Sequence, residues 1–146
     1  MAQSTRALKH SVLCFELGKT GLVYNLAFDH KPAAGNFGFR IVAGSNFGRY
    51  LNAKTIGGGV YYLAGKQDRF LELGADLQYL VVNENSDDQR GFSFVYPNFS
   101  VKTLYTSLNI GYRYYRKQSM FRIGLSPGLL AGKPIPGGYI CYGIRL

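Results

Sequence analysis

The feature that most constrains this chain is the regular alternation of apolar and polar side chains, clearest in the stretch "RFLELGADLQYLVV" at residues 69–82. Leu71 and Leu77 share one parity, whereas Glu72 and Asp76 share the other. Successive side chains of a β-strand point to opposite faces, so this stretch predicts a strand with one apolar and one polar face. If the apolar face points inward, the chain is a soluble sandwich or a ligand-carrying barrel. If the polar face points inward, it is a membrane barrel.

The same alternation recurs along the chain, and no segment shows a helical period. The length of 146 residues suits one domain, which we assign to residues 11–146 as a single β-barrel after a flexible N-terminal segment at residues 1–10. No run approaches the roughly 18 apolar residues of a membrane helix. An alternating strand, however, hides its apolar face from the mean hydropathy. Eight strands are predicted, at residues 11–17, 22–29, 37–44, 55–64, 69–82, 103–115, 120–130 and 138–146.

The connections between the predicted strands differ in length in an ordered way. The second, fourth and sixth connections, "HKPAAGN", "GKQD" and "RKQS", are mostly tight. The third, fifth and seventh are longer, and the fifth, "NENSDDQRGFSFVYPNFSVK", is the longest. Short turns on one rim and longer loops on the other are typical of outer-membrane barrels. The first connection, "GKTG", is short for the loop rim and does not follow the pattern.

Two tight turns allow the faces of neighbouring strands to be compared, because turn geometry sets the register of a hairpin. Around "GKQD" we expect Ala64 to oppose Arg69, and around "RKQS" we expect Arg113 to oppose Arg122. With these registers, polar residues meet polar residues and apolar residues meet apolar ones across four strands. The two faces are therefore continuous from strand to strand.

The polar face carries large charged residues interleaved with glycine, which is expected where side chains converge on a narrow axis. Arginine is prominent among them, and its planar fork suits pairing with buried carboxylates. The apolar face carries more bulky residues than the inside of a small barrel can hold. We therefore predict that the polar face points inward, with Glu72 as the counter-ion between Arg113 and Arg122. The full predicted lumen charge network is Glu16, Asp29, Arg40, Glu72, Asp76, Arg113, Arg122 and Arg145.

Three stretches carry a resemblance to a known class of proteins: "FELGKTGLVYNLAFDH", "YYLAGKQDRFLELGADLQY" and "SLNIGYRYYRKQSMFRIGLSPG". They resemble the small outer-membrane barrels of Gram-negative bacteria, similar in plan to the OmpA transmembrane domain and OmpX, and a family of short barrels mostly without assigned function. The last stretch, "YICYGIRL", resembles the C-terminal signal that the barrel-assembly machinery recognises. The resemblance implies a closed eight-stranded antiparallel up-and-down transmembrane β-barrel. It also implies a bacterial outer-membrane location after removal of a signal peptide, with outer-membrane lipid and other outer-membrane proteins as partners.

The functional expectation is a non-enzymatic barrel with a side-chain-filled lumen, acting as a structural or accessory subunit of a larger outer-membrane assembly. We predict no catalytic, cofactor or metal site, because His10 and His30 lie near the short-turn rim without an obvious serine partner. The net charge of +9 is scattered and accompanies no nucleic-acid motif, so nucleic-acid binding is disfavoured. Two alternatives stay open: a soluble lipocalin-like ligand-binding barrel and a lipid-modifying outer-membrane barrel enzyme.

Two further features leave alternatives open. The long loop carries an aromatic cluster, which is typical of a partner-docking surface but equally of a loop folded back over its barrel. Cys14 and Cys141 lie near opposite ends of the chain. We expect two small lumen-facing residues, and a disulfide if the first and last strands are neighbours is the alternative. The aromatic residues of the loop are Phe92, Phe94, Tyr96 and Phe99.

Overall fold

The computed structural model describes residues 11–19, 24–32, 35–47, 51–84 and 101–146, which form β-strands and their turns. In the described part of the chain, no helix is long and apolar enough to cross a membrane. The strands are Ser11–Gly18 (β1), Tyr24–His30 (β2), Phe37–Ser45 (β3), Leu51–Lys66 (β4), Arg69–Glu84 (β5), Val101–Tyr115 (β6), Ser119–Leu125 (β7), Gly128–Leu130 (β8), Lys133–Ile135 (β9) and Gly138–Arg145 (β10).

These ten segments make eight barrel strands. β7 and β8 both pair with β6 in one continuous register, so they form the seventh barrel strand. β9 pairs with β8 and β10 pairs with β7, so these two form the eighth. Every pairing is antiparallel, and β1 pairs with β10 to close the ring. The predicted closed eight-stranded up-and-down barrel is confirmed.

The connection "AGKPIPG" differs from the prediction, which treated it as a loop. It contains a tight hairpin in which β8 and β9 are joined by Ala131 and Gly132. Both residues have positive φ, 49° and 77°, which is the backbone that a two-residue hairpin turn requires. The eighth barrel strand therefore begins at Lys133, five residues earlier than predicted.

The register around "GKQD" was predicted wrongly, whereas the register around "RKQS" is confirmed. Lys66 opposes Arg69, so Ala64 pairs with Leu71 and not with Arg69. Gln67 has a φ of 60°, which allows a two-residue turn and lengthens both strands. Because the error is two residues, the side chains keep their predicted faces. Around "RKQS", Arg113 opposes Arg122 as expected.

The polar face points inward and the apolar face points outward. On β5, Leu71 is 49% exposed and Leu77 is 51% exposed, whereas Glu72 is fully buried. A soluble lipocalin-like barrel needs an apolar cavity, and this orientation excludes it. The outward apolar residues extend around the barrel and include Leu13, Leu26, Ile41, Ile56, Val60, Leu104, Leu108, Ile123, Ile140 and Ile144.

Two apolar clusters lie inside the barrel beside the charged residues. One is formed by residues of β1, β2, β3, β7 and β10, namely Val12, Cys14, Ala27, Val42, Met120 and Cys141. The other lies at the loop end, and we call it the loop-end cluster. It consists of Ala53, Leu80, Val82, Tyr105 and Leu130, with Ile135 packed against it. The interior is therefore not polar throughout its length.

The seam between β1 and β10 brings the two cysteines onto neighbouring strands. Cys14 opposes Gly143, and Cys141 opposes Glu16, so the cysteines are diagonal neighbours that face the lumen. Both side chains are buried, and no disulfide joins them. At the end of the seam, the Leu146 amide donates to the Ser11 carbonyl at 2.9 Å.

Candidate functional site

Glu72 is the centre of the buried charge network in the lumen. Its Oε1 accepts hydrogen bonds from Arg40 Nη2 at 2.6 Å and from Arg122 Nη1 at 3.0 Å. Its Oε2 accepts one from Arg113 Nε at 2.7 Å. Arg113 and Arg122 face each other directly across the β6–β7 ladder. One carboxylate therefore lies between two opposed arginines and also holds a third, which offsets their mutual repulsion.

Asp29 completes a ring of alternating charges. Its Oδ1 accepts from Arg40 Nε at 2.7 Å, and its Oδ2 lies 2.8 Å from Arg113 Nη2. Arg40, Glu72, Arg113 and Asp29 thus form a closed cycle in which each charge touches two of opposite sign. All four side chains are at most 2% exposed. Because the cycle spans β2, β3, β5 and β6, it ties opposite walls of the barrel together.

Lys19 joins the network although its position in the connection "GKTG" predicts a turn residue. Its ammonium contacts Asp76 and lies 3.6 Å from Glu16 Oε1. Alternation along β1 would point residue 19 outward, but its φ of 67° turns the side chain into the lumen. The Lys19 amide also donates to the Gly138 carbonyl at 2.8 Å, which fixes the backbone there. A positive φ at a lysine leaves no signal in the sequence.

The remaining members complete the charge balance. Arg122 Nη2 donates to Glu16 Oε2, and Asn109 Nδ2 donates to Asp76 Oδ2 at 2.9 Å. Arg145 has contacts of another kind at the short-turn rim, with its guanidinium 5.3 Å from the Tyr115 ring centre and Nη1 3.4 Å from the Arg116 carbonyl. Among the described residues, the buried ion pairs join four carboxylates, Glu16, Asp29, Glu72 and Asp76, with four cations, Lys19, Arg40, Arg113 and Arg122.

Tyrosine rings fill the space around these charges, and glycines make room for the rings. The Tyr61 ring centre lies 4.2 Å from the Arg113 guanidinium carbon and 5.2 Å from that of Arg40. Gly38 opposes Tyr61 in the β3–β4 ladder, and a Cβ at Gly38 would collide with the ring. The interleaving of glycine with tall side chains is thus a packing requirement of the narrow lumen.

Toward the loop rim the lumen changes from charged to polar and then to apolar. Thr55 Oγ1 donates to Gln78 Oε1 at 3.2 Å, and Tyr105 donates to the Ser126 carbonyl at 3.4 Å. Beyond Thr55 and Gln78 lies the loop-end cluster, to which Tyr105 belongs and in which Leu80 and Val82 are fully buried. The buried side chains of the described residues therefore change in kind along the lumen, from ion pairs to polar contacts to apolar packing.

The histidines offer little support for catalysis. His30 Nδ1 is hydrogen-bonded to Ser11 Oγ at 2.9 Å, because the two residues oppose each other in the β1–β2 ladder. No carboxylate of the described residues lies within ion-pair distance of His30, so the acidic orienter of a triad is missing there. His10 lies outside the described residues, as do the predicted docking residues of the long loop, Phe92, Phe94, Tyr96 and Phe99.

The comparisons with known proteins identify a shared fold. No family model and no curated protein matches the sequence. The outer-membrane protein Ail of Yersinia pestis, in a phospholipid bilayer nanodisc, superposes with a TM-score of 0.55 at 8% identity, over 94% of this chain and 99% of that one. Neisserial surface protein A superposes with a TM-score of 0.54 at 12% identity, over 94% of each chain. The chain therefore has the fold of the small eight-stranded outer-membrane barrels, as the sequence resemblance implied.

Proposed function

We propose that this chain is an integral protein of the bacterial outer membrane and that it serves as a structural or accessory subunit of a larger outer-membrane assembly. The observation that carries the proposal is the combination of an apolar outer face with a lumen filled by a charge-balanced network. The outer surface of such a barrel can contact lipid or a partner protein, and its lumen offers no passage to solutes. Function then falls to its outer face and its rims.

Membrane insertion is supported by the outward band of leucine, isoleucine, valine and aromatic residues. A closed antiparallel barrel satisfies its backbone hydrogen bonds internally, as a membrane-spanning structure must. Tyr24, Tyr79 and Tyr112 are exposed on the outer face, where tyrosine suits the membrane interfaces. The fold shared with Ail and with Neisserial surface protein A supports the same location. We place the short turns on the periplasmic side, which is the usual orientation of such barrels.

A pore function is disfavoured by the lumen. Eight strands enclose a space just wide enough for side chains, and here the central residues are charged, paired and almost fully buried. Moving an ion through this region would require breaking several buried ion pairs at once, each of which is costly to disrupt.

An enzymatic role also lacks support, so we propose that the chain is not an enzyme. Nucleophilic catalysis needs a nucleophile, a base and a group that orients the base. Ser11 and His30 form a pair without a described acidic partner, at the rim that we place in the periplasm. A lipid-modifying alternative would require a constellation that the described residues do not assemble.

Reconstitution of the full chain tests the location and the filled lumen together. We expect the protein to need detergent for solubility, to migrate differently on gels before and after heating, and to give no stepwise ion conductance in planar lipid bilayers. Stepwise conductance would contradict the filled lumen, and solubility without detergent would contradict the membrane location.

The accessory role needs a separate test in native membranes. A photo-crosslinking amino acid is placed, one position at a time, at Leu13, Ile41 and Ile123, which face outward on β1, β3 and β7. We expect a discrete protein adduct at the position or positions that face the partner protein, and lipid adducts at the others. Lipid adducts alone at all three positions would contradict an assembly that uses these faces.

A further inference from the structure

An apolar groove lies on the outer face of the barrel, among the outward side chains of four neighbouring strands. It encloses about 790 Å³ across β4, β5, β6 and the β8–β9 hairpin. The cause is a set of small outward residues, Gly58, Ala75 and Thr106, set diagonally among larger ones. In the ladders, Gly58 pairs with Leu77 and Leu77 with Thr106, while Ala75 lies between Val60 and Leu108. The groove thus interrupts an otherwise bulky apolar surface.

Two lysines lie on the same outer face, closer to the loop rim than the groove. Lys54 is four residues from Gly58 along β4, and Lys102 is four residues from Thr106 along β6. Four residues of a strand span about 13 Å. Both lysines pair with Val81, one from each side, and both side chains are exposed. They therefore lie at one level on the loop side of the groove, separated from it by the row of Ile56, Tyr79 and Leu104.

These two charges have no described counter-ion. Four of the carboxylates in the described residues, Glu16, Asp29, Glu72 and Asp76, are buried in the lumen. Of the other two acidic residues in the described ranges, Asp68 lies in the turn at the opposite rim and Glu84 is the last residue of β5. No ion pair involves Lys54 or Lys102 in the described part of the chain. A ligand that matches both features has an anionic head near the lysines and an apolar chain in the groove.

We propose that the groove and the two lysines form a binding site for a phosphorylated lipid of the outer leaflet. The lysine ammonium groups bind phosphate in its headgroup, and an acyl chain lies along Gly58, Ala75 and Leu77. The lysines belong to strands two interstrand spacings apart, about 9–10 Å, which suits a headgroup larger than one phosphate. The proposal rests on the membrane location and orientation proposed above, but it does not depend on the accessory role.

Matched variants separate this site from general lipid contact. Lys54→Gln with Lys102→Gln removes both charges, and Lys66→Gln with Lys117→Gln removes two exposed charges at the opposite rim. Ala75→Phe fills the groove, and Ala43→Phe adds the same ring to another exposed outward alanine, on β3. Each variant is first checked for heat-dependent gel migration, which reports an inserted barrel independently of lipid preference. A wild-type protein that fails this check contradicts the membrane location itself.

Native mass spectrometry measures the lipid preference. Wild-type protein is released from micelles that contain equal amounts of lipid A and its dephosphorylated form. We expect about fivefold more retained phosphorylated lipid than dephosphorylated lipid, a ratio in keeping with two exposed ion pairs. The Lys54→Gln/Lys102→Gln variant should retain the two forms equally, and Ala75→Phe should retain less of both. The two control variants should behave as wild type.

Several results would overturn the proposal. Equal retention of the two lipids by the wild-type protein is sufficient alone and needs no variant. Unchanged preference in the lysine variant, or equal losses in Ala75→Phe and Ala43→Phe, would also contradict it. A lipid-free dimer as the dominant species would assign the groove to a second copy of the chain. Displacement of lipid A by inorganic phosphate at equal concentration would show that the acyl chain contributes nothing.

Discussion

The charged network and the loop-end cluster of the barrel lumen are built in opposite ways. Toward the short turns, Glu72 holds three arginines and the walls are tied together by ion pairs. Toward the loops, Leu80 and Val82 pack with Tyr105 and no charged residue belongs to the cluster. The stability of the charged network depends on every buried charge having its partner. The stability of the loop-end cluster depends on buried apolar area, part of which can be lost gradually.

Facing inward and being polar are therefore separate properties of a residue in this barrel. The alternation of side chains determines which residues face the lumen. The position of a residue along the barrel axis determines whether its lumen-facing side chain is charged or apolar. Buried charges need a surrounding that keeps water from competing for them. In this barrel the charged side chains of the network are almost fully buried.

Removal of the central carboxylate is the most severe test of the charged network. Glu72→Ala leaves Arg40, Arg113 and Arg122 without their shared counter-ion, and removing one partner of a buried pair typically costs about 3–5 kcal/mol. We expect a loss of this size in the free energy of unfolding, measured by urea titration in lipid vesicles with tyrosine fluorescence, since the chain has no tryptophan. Asp68→Ala, in an exposed turn, is the control and should change stability by less than about 0.5 kcal/mol. An unchanged Glu72→Ala barrel would remove Glu72 from the role given to it.

The charged region could largely be predicted from the sequence because its signal is local. Glu72 and Asp76 alternate with leucines, so their face is fixed by parity, and Arg113 and Arg122 lie symmetrically about a tight turn. The participation of Lys19 in the network could not be predicted. Its direction is set by a positive φ, which depends on the tertiary setting of the β1 end.

The loop-end cluster could not be predicted for a different reason. In "LQYLVV" the alternation is lost, because Tyr79, Leu80, Val81 and Val82 are all apolar. Their position in the alternation still places Leu80 and Val82 on the lumen face. The prediction that polar residues face inward, however, gives no role to apolar residues on that face. Only the closure of the barrel shows that they meet Ala53 and Leu130 from other strands.

The apolar region is tested by Leu80→Ala, with Leu77→Ala on the opposite face of the same strand as its control. Leu80 is fully buried among protein side chains, so its truncation leaves a cavity and should cost about 2–4 kcal/mol. Leu77 faces outward, where lipid chains can fill the vacated space, so its truncation should cost clearly less. Both values come from the same urea titration. Equal losses at the two positions would mean that the cluster is not packed as a core.

Lys19 provides a third test, because its backbone lies at the loop rim whereas its side chain reaches the charged network. Lys19→Ala removes a cation from Asp76 and Glu16, but Asn109 still donates to Asp76 and Arg122 still contacts Glu16. We therefore expect a loss of about 1–3 kcal/mol, below that of Glu72→Ala. Arg145→Ala should cost less than about 1 kcal/mol, since its rim contacts are partly exposed. In a double-mutant cycle, Lys19→Ala and Asp76→Asn should be non-additive, whereas Arg145→Ala and Asp76→Asn should add. The reverse pattern would show that Arg145, and not Lys19, is coupled to Asp76 in the charged network.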